Sequence, residues 1–344
     1  MNMRFELADA KTVGITGHVR PDGDCVGSVM GLYNYIKKNM PNIEVDAYLE
    51  QPGKEFDYIK NLDQIKNSID INNINEIANS NEINIINNIK QLSDAAKQYD
   101  VFIVLDCSDT ERIKPFAQLF INAKKTICID HHASNNAFAD INLVRPNASS
   151  SCEVLYGTLE EAEIDKDIAE CIYTGIIHDT GVFKYSCTSE DTMAIAGKLM
   201  AKGIDYSDII DNSFYKKTYI QNQVLGRALL ESVLFYDGKC IFSAIYKKDM
   251  DFYGVDGKQL GGIIEQLRLT EGVEVAIFLY ETGMNEYKVS MRSKKYINVS
   301  SISVHFGGGG HIRAAGVTMQ GTVHDIINNI GAQLELQFNS IGKE

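Results

Sequence analysis

Three short apolar runs in the first half of the chain each lead into acidic residues, two of them with histidines beside. Thr12–Thr16 (TVGIT) leads into His18-Val-Arg-Pro-Asp22-Gly-Asp24, Val101–Leu105 (VFIVL) into Asp106, and residues 126–129 (TICI) into Asp130-His131-His132. Continuous β-branched runs of this length, separated by helical stretches, describe strands of a parallel sheet covered on both faces. The carboxyl edge of such a sheet is where α/β folds bind ligands. Pro-Asp-Gly alone is a turn signal, and a single Asp after a strand serves as a cap or turn residue. Three coincident cases, with metal-ligand residue types at each, describe a site.

The rest of the chain supplies the frame. Residues 26–38 read as a helix with Gly27 and Gly31 four apart on one face. Ile43–Leu49 reads as a strand, and further helices are expected at about 151–162, 166–178 and 190–202. His178-Asp179-Thr180-Gly181-Val182-Phe183 closes one of these helices; alone it reads as a helix end followed by a glycine turn. The pattern changes near 203–212. A long helical stretch at 213–235 precedes strand 240–246, helix 257–268, strands 273–280 and 286–292, a glycine-rich segment and a final helix near 323–337. Gly307–Gly310 and His311, followed by IRAAG, are expected to open a helix and offer backbone N–H groups to an anion. The expected fold class is α/β: an N-terminal parallel-sheet domain with helices on both faces, a smaller C-terminal α+β domain, and a cleft between them. The expected boundaries are 1–190, a linker at 191–212, and 213–344. Residues 71–90 hold eight Asn and seven Ile and read as a weak peripheral helix without a function.

Composition bounds the partners. With 344 residues, 44% of them hydrophobic, there is material for about two full cores. No apolar run approaches the roughly 18 residues that would cross a bilayer. The N-terminus lacks the apolar stretch of a signal peptide, so a cytoplasmic location and no membrane partner are expected. Seven scattered cysteines without a C-x-x-C pair argue against a disulfide framework and a structural zinc site. A net charge of −13 weighs against a protein that coats long duplex nucleic acid through a basic face. It leaves room for a small phosphorylated substrate.

Taken together, HVRPDGDCVGS, VLDCSD, IDHH, HDTGVF, the MRS at 291–293 and GGGGHIRAAG at 307–316 resemble, in order and spacing, the DHH phosphoesterase superfamily with its DHH-associated C-terminal domain. The similarity runs over nearly the whole chain and is nearest to the stand-alone nanoRNase/pAp phosphatase type. It implies one metal held by His18, Asp22 and Asp106, and another by Asp24, Asp106, His131 and Asp179, with Asp106 shared. His132 would face the substrate phosphate or leaving oxygen, and Asp130 would orient a neighbouring histidine. Arg292 and the segment Gly308, Gly309, Gly310 and His311 would bind the nucleotide or its phosphate. Arg268 is a weaker candidate, and His178 reads as structural. Four carboxylates balance two divalent ions, and an oxygen-rich set with two imidazoles suits Mn2+, with Mg2+ as the alternative.

The resemblance implies hydrolysis of short RNA oligonucleotides (nanoRNA) to nucleoside 5′-monophosphates, and removal of phosphate from pAp. A cyclic-di-AMP or pApA phosphodiesterase is the alternative. A pyrophosphatase or polyphosphatase fits the metal half better than the glycine–histidine half, and a non-enzymatic nucleotide sensor fits a complete ligand set poorly. The sequence leaves a homodimer open.

Overall fold

A computed structural model describes residues 1–67 and 97–341. The Asn/Ile-rich stretch 71–90 lies outside the described residues. The chain divides into two units, Met1–Lys216 and Lys217–Glu344. No helix among the described residues is long and apolar enough to cross a membrane.

The first unit is built on a five-stranded, all-parallel sheet: β1 (Thr12–Thr16), β2 (Glu44–Tyr48), β3 (Val101–Leu105), β4 (Thr126–Asp130) and β5 (Ile141–Val144). The strand order is β2-β1-β3-β4-β5. Order reverses between β1 and β3, which makes the gap beyond their carboxyl ends the topological switch point. All five residues of β3 are buried, as a continuous VFIVL run requires when both faces are covered.

One face packs against α1 (Gly23–Asn39), α2 (Ser151–Tyr156) and α3 (Lys166–Asp179). The other carries an aromatic cluster of Tyr48, Tyr99, Phe102, Phe116 and Phe120. Asp22 caps α1 by accepting from the Cys25 N–H at 3.1 Å, and Asp165 caps α3 through Ile168 N–H at 3.0 Å. Each cap satisfies a helix-end donor that would otherwise lack a partner.

Helices α1 and α3 cross at glycines. A Cβ on Gly27 would stand 2.4 Å from the Cys171 carbonyl oxygen, and one on Gly175 would stand 2.6 Å from Asp24 Oδ1. The crossing therefore sets how closely Asp24, at the start of α1, approaches Asp179, at the end of α3.

The first unit departs from the sequence reading at β5, at α2 and at the expected linker. Strand β5 and the short extent of α2 were not expected; Gly157 follows the last residue of α2. Residues 191–212, expected as a linker, contain most of α4 (Glu190–Met200), whose Ala196 and Leu199 join the first core.

The second unit begins with α5 (Tyr219–Leu230) and holds a six-stranded mixed sheet. Its strands are β6 (Val233–Phe235), β7 (Cys240–Ile245), β8 (Val275–Gly283), β9 (Glu286–Ser293), β10 (Gly309–His311) and β11 (Ala314–Gln320), in the order β10-β11-β9-β8-β7-β6. It also carries a helix at Lys247–Tyr253 and helices α6 (Ile263–Arg268), α7 (Val299–His305) and α8 (Val323–Ile341).

The expected helix at 213–235 is broken: the chain extends at Lys216 before α5 and ends in β6. The expected helix at 257–268 is interrupted by Gly262, whose φ is +87°. The glycine-rich segment does not open a helix. It follows α7 and forms β10, the first strand of a hairpin with β11. Gly310, at φ +138°, and Gly308 fit because a Cβ on either would stand within 2.5 Å of a backbone oxygen.

Candidate metal centre

The loops after β1, β3 and β4, the start of α1 and the end of α3 bring five ligand-type side chains together around a sixth, Asp106. His18 Nε2 lies 3.5 Å from Asp106 Oδ2 and 3.6 Å from Asp22 Oδ2. His131 Nε2 lies 3.7 Å from Asp106 Oδ1, 3.0 Å from Asp179 Oδ2 and 4.0 Å from Asp24 Oδ2. The two oxygens of Asp106 thus face different histidines. Asp106 adopts φ +54°, a left-handed conformation that Asp tolerates better than most residues. It turns the chain out of β3 at the switch point.

Both imidazoles are anchored through their other nitrogen. His18 Nδ1 donates to the Val19 carbonyl at 2.9 Å, and His131 Nδ1 to the Ala148 carbonyl at 3.4 Å. That leaves each Nε2 pointed at the carboxylates, the tautomer a metal-binding histidine needs.

Without a cation the cluster is electrostatically frustrated. Burial, and then the nearby Asp106 and Asp179, push the Asp24 carboxyl well above its ordinary range. Asp179 is raised by burial and by Asp106, though His131 opposes this. Burial opposes charge on the histidines, yet the surrounding carboxylates overcome it and raise His18 and His131 to about 10. Burial also works against an ionised Asp22, but His18 outweighs it and draws that carboxyl to about 2. Buried carboxylates facing one another at this range are stabilised by bound cations. The donor set, oxygen-rich with two neutral imidazole nitrogens, fits hard divalent ions.

Cys25 also lies near His18 and Asp106. Burial pushes its thiol well above the ordinary range, and its Sγ sits 3.8 Å from the His18 carbonyl, so it behaves as a core residue.

His132 and Asp130 form a second layer. Asp130 Oδ1 accepts from His132 Nδ1 at 2.8 Å, and Oδ2 accepts from Asn135 Nδ2 at 2.7 Å. The Asp130 contact, which outweighs burial, raises the His132 pKa. His132 Nδ1 is also 3.6 Å from Asp106 Oδ1, and its Nε2 is left for another partner.

Ser151 and Asn135 were missed by sequence reasoning. Ser151 Oγ donates to Asp106 Oδ1 at 3.0 Å, while its backbone N–H and that of Cys152 bind Asp24 at 2.6 and 2.9 Å. The run Ser149-Ser150-Ser151 was the only signal, and it reads as an ordinary turn.

His178 lies outside the cluster. Its ring fills the space a Gly23 side chain would need, bonds Ser213 Oγ at 3.1 Å and touches Phe56 and Phe214. Burial lowers it to about 4, so it is neutral.

In the second unit, the register places Arg292, Ala314 and His311 opposite one another on β9, β11 and β10. Directly paired residues project to one face of a sheet, so Arg292 and His311 flank Ala314 on the same face. Arg292 Nε donates to Glu265 Oε1 at 3.2 Å. Gly309 and His311 are exposed. Arg268 is the last residue of α6 and is half-buried.

The fold and the Asp/His cluster at its switch point define a phosphoesterase of the DHH class. The chain belongs to that family: residues 12–176 match the DHH family, N-terminal domain, and residues 237–336 match the DHHA1 domain. It is 26% identical over 315 residues to a Thermus thermophilus protein named bifunctional oligoribonuclease and PAP phosphatase NrnA, covering 89% of this chain and 84% of that protein. The Bacillus subtilis protein of the same name is 24% identical over 313 residues, covering 90% and 89%. In fold, the chain is similar to an exopolyphosphatase-related protein from Bacteroides fragilis, with a TM-score of 0.80 at 24% identity over 98% of this chain and 95% of that one.

Proposed function

We propose that this chain is a two-metal phosphoesterase that hydrolyses short RNA oligonucleotides to nucleoside 5′-monophosphates and removes phosphate from pAp. The observation that carries this reading is Asp106, whose two oxygens face His18 on one side and His131 on the other. That arrangement supports a shared carboxylate between two ions, with His18 and Asp22 completing one set and Asp24, His131 and Asp179 the other. The names of the two full-length relatives support the substrate class. The proposed ions are Mn2+, with Mg2+ as the alternative, and the proposed compartment is the cytoplasm.

When bound, such an ion pair supplies a metal-activated water and neutralises phosphate oxygens. The chain's own residues do the rest. Asp130 holds His132 through Nδ1, so His132 Nε2 can hold a proton for a phosphate or leaving-group oxygen. Asn135 holds Asp130 in turn. Ser151 fixes the rotamer of Asp106. Arg292, His311 and the strand Gly309–His311 form the substrate-binding part of the second unit. A planar guanidinium suits a phosphate bidentately, and an imidazole can bond or stack on a base.

The test is direct. The purified protein with Mn2+ is given pAp, a five-nucleotide RNA, pApA, cyclic di-AMP and pyrophosphate in parallel. Turnover of the RNA to 5′-monophosphates and of pAp is expected. Turnover of cyclic di-AMP alone would replace this reading with the cyclic-dinucleotide one, and of pyrophosphate alone with a pyrophosphatase.

A further inference from the structure

The loop that follows α3 is held in an uncommon shape. Gly181, Val182 and Phe183 have φ of +57°, +55° and +63° in succession. The left-handed region is poorly populated by residues with a side chain, least of all by a β-branched one. Such strain persists only where the surroundings over-determine it, and it concentrates at functional sites.

The surroundings here do over-determine it. Val182 N–H donates to the Ile177 carbonyl at 2.8 Å, and Phe183 N–H to Thr180 Oγ1 at 3.0 Å. The Phe183 ring lies 6.2 Å from Tyr173. Lys184 and Tyr185 N–H both donate to the Thr180 carbonyl, at 2.9 and 2.8 Å, and Cys187 Sγ returns to within 3.6 Å of the Asp179 carbonyl. The loop thus closes back onto the residue that ends the metal cluster.

What this shape achieves is the placement of Tyr185. Its ring lies on Gly181, where a Cβ would come within 2.4 Å of the ring carbon Cζ. The residue nevertheless remains 45% exposed, and its hydroxyl bonds no described residue. One ring face is seated on backbone beside the Asp179 turn, while part of the side chain is open. An apolar ring gains nothing from such exposure, and a strained loop is a costly way to produce it.

We propose that Tyr185 is a stacking platform for the base of the nucleotide whose phosphate ester is cleaved. It is thereby a specificity-determining residue that favours nucleotide esters over phosphate chains that carry no base. This rests on the nucleotide reading of the site. Stacking suits a substrate class of mixed sequence, because every base has a π-face. A ring already fixed by Gly181 loses little freedom when a base settles on it.

Steady-state kinetics of the full chain with Mn2+ test this. The substrates are pApA, its counterpart lacking both bases, and pyrophosphate; the variants are Y185F, Y185L and Y185A. Leucine keeps an apolar group against Gly181 without a ring, so it separates stacking from folding. Y185A and Y185L are expected to raise KM for pApA about tenfold, the order of one lost stack. KM for the abasic substrate stays within about twofold, and Y185F behaves as the wild type. Unchanged KM for pApA in Y185L, or an equal loss on the base-containing and abasic substrates, would overturn the platform while leaving the nucleotide reading standing. A wild-type protein that cleaves pyrophosphate but not pApA overturns the nucleotide reading itself.

Discussion

At the scale of single residues, the metal centre depends on where charge is fixed and what holds it there. Asp106 is the sharpest case. Asparagine tolerates the left-handed backbone as aspartate does, so Asp106→Asn preserves the turn and removes only the charge. Bound metal should fall, and turnover of pAp should drop about a hundred- to a thousandfold, the scale of losing a principal electrostatic contact. Metal analysis of the purified variant and initial rates measure both; full turnover in a metal-depleted D106N protein would sink the two-metal mechanism. Ser151→Ala is subtler. It deletes the O–H donated to Asp106 but keeps the backbone N–H groups that bind Asp24. Mn2+ affinity should weaken about 10- to 100-fold, the usual effect of losing a group that orients a ligand. A Mn2+ titration reads it, and wild-type affinity would show that Asp106 is held without the hydroxyl. The two cases also mark what was legible. Asp106 announces itself because it ends a buried β-branched run. Ser151 does not, because a serine run signals only a turn until β4 and α2 are known to converge.

At the scale of elements, the site is only as precise as the helix crossing beneath it. Gly27 and Gly31 share a face of α1, which the sequence made visible through their spacing. What spacing does not reveal is that they differ. A Cβ at Gly27 meets the Cys171 backbone carbonyl at 2.4 Å, whereas one at Gly31 meets the movable Ile172 side chain at 3.3 Å. Gly27→Ala should therefore force α1 off α3, cost about 1–3 kcal/mol as overpacking does, and weaken Mn2+ binding by shifting Asp24. Gly31→Ala should be nearly neutral in both respects, since alanine also favours a helix. Thermal melts and metal titration on the pair decide this; equal behaviour of the two variants would mean that the crossing does not position Asp24. The C-terminal half was less readable for a related reason. Followed by IRAAG, the glycines at 307–310 read as the opening of a helix. Here their roles are close approach to α7 and β11 at Gly308, close approach to β11 at Gly310, and a positive φ at Gly307 and Gly310; neither leaves a trace in hydrophobic periodicity.

At the scale of the whole molecule, a net charge of −13 faces a polyanionic substrate. A protein that grips nucleic acid through many Lys/Arg–phosphate contacts loses affinity steeply as salt rises, because its binding releases counterions. This chain has the opposite balance, with 46 acidic against 33 basic residues. On this balance the chain as a whole repels a polyanion, so attraction must come from the candidate metal centre and from local cations such as Arg292. That repulsion grows with the number of phosphates and is screened over a Debye length of about 8–10 Å at physiological salt. A five-nucleotide RNA, engaged mainly at the site, should show a KM nearly independent of salt. For a long single strand, KM should instead fall as NaCl is raised from about 50 to 200 mM, because screening removes repulsion from phosphates outside the site. Initial rates on both substrates across that range distinguish the two regimes. A KM for the long strand that climbs steeply with salt would reveal a basic track that the charge balance hides, and would move the substrate from short oligonucleotides toward long single strands.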